Sequence, residues 1–199
     1  MLHIPKRNVA FEASSKLAER GIGVHEEART KDRFALVLLK NEGFVRPTYF
    51  LERRLDSDDV YPGRLGLYGG LIEEEKHETA LEAAVREIWE ETGITVAQKD
   101  LVRLYEFTGE NDRGDANEGE VFVHTFRRTK GISTQKIALH QRLNREKMQR
   151  TDDKPGMPVA VRPGLGNFSV WLDWQRFTPQ TAFALLADLD RERRANRSR

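Results

Sequence analysis

Residues 79–94 read TALEAAVREIWEETGI, and this stretch decides the fold. Apolar residues recur in it at helical spacing and predict one buried stripe along a helix. They are Leu81, Ala84, Val85 and Ile88. Thr79 with Glu82 three residues later forms a capping box at the start. Gly93 is a typical left-handed stop. The stretch therefore predicts an amphipathic helix that ends at Thr92.

Three glutamates lie on the same predicted helix. Glu87, Glu90 and Glu91 are spaced i, i+3, i+4, so their carboxylates share one face, opposite the apolar stripe. Like charges at this spacing repel each other. A hard divalent cation such as Mg²⁺ would relieve the repulsion, because it binds carboxylate oxygens and is completed by substrate phosphates. A solvated acidic face is the simpler interpretation. These three residues alone leave both open.

The flanking residues resemble the Nudix box. The family pattern is Gly, five residues, Glu, seven residues, then Arg-Glu-aliphatic-x-Glu-Glu-x-Gly-aliphatic. Here Glu78 is followed by seven residues and then by Arg86-Glu87-Ile88-x-Glu90-Glu91-x-Gly93-Ile94. The sequence departs from the family pattern in the segment before Glu78. Seven residues, not five, separate Gly70 from Glu78, and His77 replaces the usual glycine. Residues 71–77 (LIEEEKH) are therefore expected to form a longer loop ahead of the helix.

The resemblance implies a role for each residue of the box. The metal ligands would be Glu87, Glu90, Glu91 and the backbone carbonyl of Gly70. Glu78 and Arg86 would pair and orient the carboxylates, which places Arg86, with Glu87 and Glu91, among the catalytic groups. The implied cofactor is Mg²⁺ or Mn²⁺.

Many family members carry one more acid on a later loop, as metal ligand or general base. Glu118 and Glu120, just before a predicted strand, are the best candidates, with Asp112 and Asp115 behind them. The alternative, that Glu87 itself is the base, stays open.

The implied activity is metal-dependent hydrolysis of a diphosphate linkage in a nucleoside diphosphate joined to another group. The substrate, a small nucleotide-like molecule, could be a nucleotide sugar, ADP-ribose, a dinucleotide or a nucleoside triphosphate. One alternative is a catalytically silent Nudix-fold binding or regulatory module; such proteins usually lose box carboxylates, which this chain keeps. Another is an RNA-directed decapping-type enzyme that uses the basic segment 136–150. Arg53, Arg64 and Tyr68 are candidate substrate-binding residues by position only.

The remaining pattern favours an α/β (α+β) domain of the Nudix-type α/β/α sandwich, with a mixed central sheet. Strands are predicted over Arg33–Leu39, Thr48–Arg54, Leu101–Phe107, Val121–Arg127 and Val170–Asp173, with a polar loop over Thr108–Glu120. Further helices are predicted over 11–20, over 136–150 and after Thr178-Pro179. The last has Ala182, Leu185, Leu186 and Leu189 on its apolar face. We expect a single domain over 1–199, with an N-terminal extension (1–32), an insertion (128–168) and a basic, disordered tail (191–199).

The amino-acid composition limits the kinds of partner and metal ligand that this protein can have. The 199 residues include 33 Lys plus Arg and 32 Asp plus Glu, a net charge of +1, which does not favour a general nucleic-acid binder. There is no cysteine, so a metal must sit on oxygen or imidazole ligands. No secretory or membrane-spanning pattern is seen, so a cytoplasmic protein without a membrane partner is expected. Family members are often homodimers.

Overall fold

The computed structural model describes residues 32–43, 46–58, 60–111, 113–127, 131–148, 156–162 and 176–197. For 144–148 and for 196 it describes the backbone alone. All of these residues belong to the compact unit Lys31–Arg199. The predicted helix over 11–20 and the predicted strand over 170–173 lie outside the described residues.

The described residues contain one sheet of seven strands. They are β1 (Asp32–Asn41), β2 (Thr48–Arg53), β3 (Leu65–Gly66), β4 (Tyr68–Leu71), β5 (Leu101–Glu110), β6 (Ala116–Phe126) and β7 (Met157–Val161). The main path runs β3-β2-β1-β6-β5, while β4 pairs with β1 and β7 pairs with β2. The β1–β6 pair is parallel and the others are antiparallel, so the sheet is mixed, as predicted.

Strand β1 is shared by two neighbours along one edge. Its end, Leu39–Asn41, pairs with the beginning of β2, whereas Phe34–Val37 pairs with β4. The sheet therefore forks, since β2 continues beside β7 while β4 takes the place next to β1. This fork brings Gly69 and Gly70 of β4 to the middle of the sheet.

Helices cover both faces of this sheet. α1 (Ala80–Thr92) and α2 (Thr134–Met148) lie on one face, and α3 (Pro179–Arg197) lies on the other. The α1 face has a core that includes Ala35, Val37, Leu39, Phe50, Tyr68, Ala83, Ala84, Ile88, Phe122 and Ile137. The α3 face has a core that includes Leu38, Tyr49, Leu51, Leu65, Val121, Val123, Phe177, Ala182 and Leu185. The layers are those of the predicted α/β/α sandwich.

Helix α1 begins and ends as predicted. The Thr79 hydroxyl accepts a hydrogen bond from the Glu82 amide, the Glu82 carboxylate accepts one from the Thr79 amide, and Gly93 is left-handed. Its buried side differs from the predicted stripe, however. Ala80, Ala83, Ala84, Ile88 and Thr92 are buried, whereas Leu81 and Val85 are only partly buried. The core-facing side is therefore rotated, because the small alanines let the helix lie close to the sheet.

Three predicted regions differ from the structure. The loop predicted over Thr108–Glu120 is mostly strand, since Thr108, Gly109 and Glu110 of β5 pair with residues of β6 and only 111–115 connect the two strands. The predicted insertion over 128–168 contains α2 and β7, so it contributes to both layers. The tail expected to be disordered from 191 continues as helix α3 to Arg197, with ion pairs Arg191–Asp188 and Arg194–Asp190 along it.

A buried polar network ties α3 to the sheet. Lys40 Nζ lies 2.6 Å from Asp188 Oδ2 and 2.6 Å from Glu192 Oε1. The Tyr49 hydroxyl donates to Asp188 Oδ2 at 3.0 Å, and Arg191 donates to Asp188 Oδ1 at 2.9 Å. Asp188 is fully buried on the helix side that the sequence predicted to be apolar. Because buried charges are tolerated only when paired, this network fixes the position of α3. No helix among the described residues is long and apolar enough to cross a membrane.

Candidate active site

The predicted pair of Glu78 and Arg86 is formed. Arg86 Nε donates to Glu78 Oε1 at 2.8 Å and Arg86 Nη2 donates to Glu78 Oε2 at 2.9 Å. Arg86 Nη2 also donates to the Leu71 carbonyl at 2.9 Å. The adjacent guanidinium lowers the pKa of Glu78. This two-pronged ion pair therefore ties the end of β4 to the helix that carries the other carboxylates.

Glu87 lies directly against the backbone of Gly70. A Cβ atom at Gly70 would come within 2.5 Å of Glu87 Oε1, so a larger residue there would push this carboxylate out of its present position. The Glu87 side chain is 13% exposed, and burial raises its pKa despite a 2.7 Å ion pair with Arg86 Nη1. The sequence placed Gly70 in the site, and the structure brings its backbone beside the Glu87 carboxylate.

Glu91 lies one helical turn further along, against Gly69. Its Oε2 accepts a hydrogen bond from the Gly69 amide at 2.8 Å. Gly69 has φ 134°, and a Cβ there would collide with the Ala35 carbonyl, so this close approach needs glycine. The carboxylate is partly buried and points at the sheet, not away from the core as the helix pattern suggested. Burial, followed by the nearby charges of Glu52 and Glu87, raises the pKa of Glu91 well above its ordinary value.

Glu52 of β2 is a fourth carboxylate that the sequence reasoning missed. It lies on the α1 face of the sheet, like Phe50, because strand side chains alternate. Its Oε1 accepts a hydrogen bond from the Gly156 amide at 2.5 Å, and burial raises its pKa. The signal was present, since a glutamate on the inward face of an apolar strand requires a partner or a ligand.

The donors present fit a divalent cation. Glu87, Glu90 and Glu91 offer carboxylate oxygens, the donors that Mg²⁺ and Mn²⁺ bind. Within the described ranges, no three acidic or histidine side chains converge closely enough to hold a metal as they stand. The guanidinium of Arg86 lies between two of these carboxylates, with Nη1 2.7 Å from Glu87 and 3.3 Å from Glu90. A cation would offset the repulsion that Glu52 and Glu87 exert on Glu91.

Glu118 and Glu120 lie on β6 itself, so the expectation of a loop position is wrong. Both share the α1 face with Phe122, because they precede it by four and by two residues. Glu120 is the register partner of Ala35, which also pairs with Gly70, so Glu120 and Gly70 lie on one rung across β1. Glu120 lies 3.4 Å from Arg103, and Glu118 lies 3.4 Å from Arg33.

Two further candidate acids are placed less favourably. Asp115 lies in the turn between β5 and β6, where its carboxylate accepts a hydrogen bond from Asn111. Asp112 lies outside the described residues.

The structure does not bring the three candidate substrate-binding residues together. Tyr68 is fully buried and its hydroxyl donates to the Leu51 carbonyl, so it cannot stack on a base, and that prediction is wrong. Arg53 follows Leu51 by two residues and so projects on the α3 face, away from the carboxylates. Arg64 lies over the Tyr61 ring, 5.3 Å from its centroid.

Comparison with known proteins identifies the family of this chain. Residues 30–149 match the model of the NUDIX domain family, which is more than half of the chain. The chain belongs to the Nudix domain family, whose members are pyrophosphohydrolases, and it is an enzyme of that class, acting on phosphorus anhydrides. No curated protein matches its sequence.

Solved structures share the fold at low sequence identity. A MutT/Nudix family protein from Listeria innocua superposes with a TM-score of 0.58 at 17% identity, over 86% of this chain and 100% of that one. The NUDIX domain of Shewanella oneidensis NrtR, solved with ADP ribose, gives 0.52 at 14% identity, over 82% and 88%. A MutT/Nudix family protein from Enterococcus faecalis gives 0.48 at 14% identity, and this chain matches 72% of its own length but only 47% of that protein.

Proposed function

We propose that this enzyme hydrolyses a diphosphate linkage in a nucleoside diphosphate joined to another group, with Mg²⁺ or Mn²⁺ as cofactor. The observation that carries the proposal is the placement of the α1 carboxylates. Glu87 fits against Gly70, and Glu91 accepts the Gly69 amide hydrogen bond. The ADP ribose bound to the NrtR domain makes ADP-ribose one reasonable member of the substrate class.

In this proposal, Glu87, Glu90 and Glu91 hold the cation together with the Gly70 carbonyl. When bound, the cation lowers the pKa of the attacking water and neutralises charge on the leaving phosphate. Arg86 keeps the end of β4 and the helix in register through Glu78 and the Leu71 carbonyl. That support matters because an error of about 1 Å in the position of reacting groups can cost roughly 100-fold in rate.

We assign the proton-accepting role to Glu120. It faces the α1 side of the sheet on the same rung as Gly70, and its side chain is 27% exposed, which leaves it open to a water molecule. A general base must lie within hydrogen-bond reach of the proton it accepts. Glu118 lies on the same face of β6, two residues further from the rung of Gly70, and like Glu120 it has an arginine 3.4 Å away. It is therefore the matched control.

The test is an assay of product release from a panel of substrates. The panel contains nucleoside triphosphates, nucleotide sugars, ADP-ribose, dinucleotides and capped RNA, each with Mg²⁺, Mn²⁺ or EDTA. We expect metal-dependent turnover of one small-molecule class, lost in Glu91→Gln. Glu120→Gln should lower kcat by about 100- to 10,000-fold, the usual contribution of a general base, while Glu118→Gln retains most activity. Turnover in EDTA, or an active Glu91→Gln, would rule out the proposed site.

A further inference from the structure

An open cleft of about 500 Å³ lies between α2 and the beginning of β7. Helix α2 contributes Thr134, Ala138, Gln141 and Arg142, and the other wall contains Gly156 and Pro158. The volume lies within the range of small-molecule sites, which combine apolar surface with a few polar groups.

Gln141, which lines this cleft, has an unsatisfied hydrogen-bond donor in its side chain. Its side chain belongs to a residue that is only 6% exposed, and its Nε2 has no hydrogen-bond partner in the described part of the chain. Buried amide groups in native proteins are almost always paired. An acceptor atom on a ligand that reaches Gln141 from the cleft would satisfy this donor.

The cleft adjoins the carboxylate site through β2. Pro158 is the cross-strand partner of Glu52, and such partners have Cα atoms about 5 Å apart. The Gly156 amide donates to Glu52, and a Cβ at Gly156 would lie 2.6 Å from Glu52 Cγ, so the wall of the cleft is packed directly on this strand. The charge of Glu52 in turn acts on Glu91 and, after burial, contributes most to raising its pKa. Glu52 is therefore the residue that links the wall of the cleft to the proposed site of cleavage.

The lining selects the kind of group that can bind. Ala138 and Pro158 offer apolar surface to a flat ring, Gln141 offers a donor to a carbonyl or ring nitrogen, and Arg142 adds a cation from the exposed side of α2. A sugar alone would leave the apolar wall unused. A nucleobase uses both kinds of surface.

We propose that the cleft between α2 and β7 binds the nucleobase of the substrate and that Gln141 reads its hydrogen-bonding edge. This subsite rests on the proposed function, because it assumes that the hydrolysed compound is a nucleotide. It assigns a role to α2, which the family resemblance left without one.

The test measures binding of nucleoside 5′-monophosphates, which contain no anhydride and so do not report on hydrolysis. Calorimetry with adenosine, guanosine, uridine and cytidine monophosphates is compared with ribose 5-phosphate, which lacks a base. Gln141→Leu should weaken binding of the preferred monophosphate about 3- to 10-fold, the value of one neutral hydrogen bond, and leave ribose 5-phosphate unchanged. Ala138→Trp, on an exposed position of α2, should fill the cleft and weaken binding more. The matched controls are Gln98→Leu and Ala97→Trp, both exposed and outside the cleft.

The outcomes separate the two proposals. If Gln141→Leu and Ala138→Trp bind every monophosphate as the wild type does, or if the wild type binds none, the subsite is refuted even where hydrolysis is observed. If monophosphate binding depends on Gln141 but the hydrolysis panel is silent, the subsite stands and the proposed reaction fails. In the active enzyme, the cleft variants should raise KM for the base-containing substrate while kcat stays within about 3-fold.

Discussion

Replacing Glu91 by glutamine removes one buried negative charge and keeps the shape of the side chain. The carboxamide oxygen can still accept the 2.8 Å hydrogen bond from the Gly69 amide, so the contact between α1 and β4 survives. The substitution removes the repulsion with Glu52 and Glu87, the two charges that contribute most to the raised pKa of Glu91 after burial. Without metal, we therefore expect Glu91→Gln to be at least as stable as the wild type at pH 8.

The magnitude of the metal effect follows from linkage. A cation at about 100 times its Kd stabilises the folded state by roughly 2.7 kcal/mol. At roughly 2.1 cal/mol/K per residue, the 169 residues of Lys31–Arg199 convert this into a rise in Tm of about 7–8 °C. If the lost ligand weakens metal binding about 10- to 100-fold, the gain in Glu91→Gln at the same concentration is only about 0.4–1.4 kcal/mol.

The assay is thermal unfolding with a Mg²⁺ or Mn²⁺ titration at pH 8, followed by circular dichroism. The control is Glu75→Gln, an exposed glutamate in the loop before α1, which should behave as the wild type. If the metal raises the Tm of Glu91→Gln as much as it raises the Tm of the wild type, the assignment of Glu91 as a ligand is refuted.

The pH dependence of the metal-free protein supplies a second readout. A carboxyl group whose pKa is raised by folding binds its proton more readily in the folded state, so stability increases as pH falls through the folded pKa. The wild type should therefore gain stability as the pH is lowered from 8 through the raised pKa of Glu91, and Glu91→Gln should gain less. Glu52 and Glu87, whose pKa values are also raised by burial, account for the remainder. Equal pH profiles for the two proteins would contradict this interpretation.

Three other predictions test neighbouring features. Glu78→Gln should lower the free energy of unfolding at pH 7 by about 1–3 kcal/mol; because its pKa is lowered by folding, the loss should vanish as pH falls through the folded pKa, as urea denaturation at pH 7 and in acid would show. Gly70→Ala should reduce kcat/KM about 10- to 100-fold with an unchanged circular dichroism spectrum, whereas Gly109→Ala, which has open space for a methyl group, should be silent in the same assay. Lys40→Met should lower the free energy of unfolding by about 3 kcal/mol in urea denaturation, the lower end of the range for breaking a buried pair, because Arg191 still pairs with Asp188. Adding Asp188→Asn should recover part of the loss, and a fully stable single variant would mean that the ion pair does not hold α3.

The helix and its ion pair were predictable because their determinants are local. Thr79, Glu82 and Gly93 set the ends of α1 through contacts within a few residues. The spacing of Glu78 and Arg86 matched a family pattern, and the structure forms their pair.

Other features depend on contacts that are distant in sequence. Glu52 joins the site because β2 leaves β1 at the fork and meets Gly156, more than 100 residues away. The buried Asp188 likewise depends on Lys40 of β1. Glu118 and Glu120 were predicted to lie in a loop because their side chains are polar. The structure places them in a strand because their backbone pairs with β5. Tertiary pairing, which no local pattern encodes, decides these positions.

The two residues added between Gly70 and Glu78 are absorbed in a separate short turn. Glu74–Lys76 form one turn of 3₁₀ helix, His77 takes a left-handed conformation, and the Glu73 amide donates to the Glu78 carboxylate. Both ends of this turn are held independently, the first by β4 pairing and the second by the cap of α1. The interval is thus a spacer whose length can vary without moving the groups it separates. A family signature written with a fixed count at this point would reject working members, and the same spacer offers an insertion point for a reporter peptide at the rim of the site.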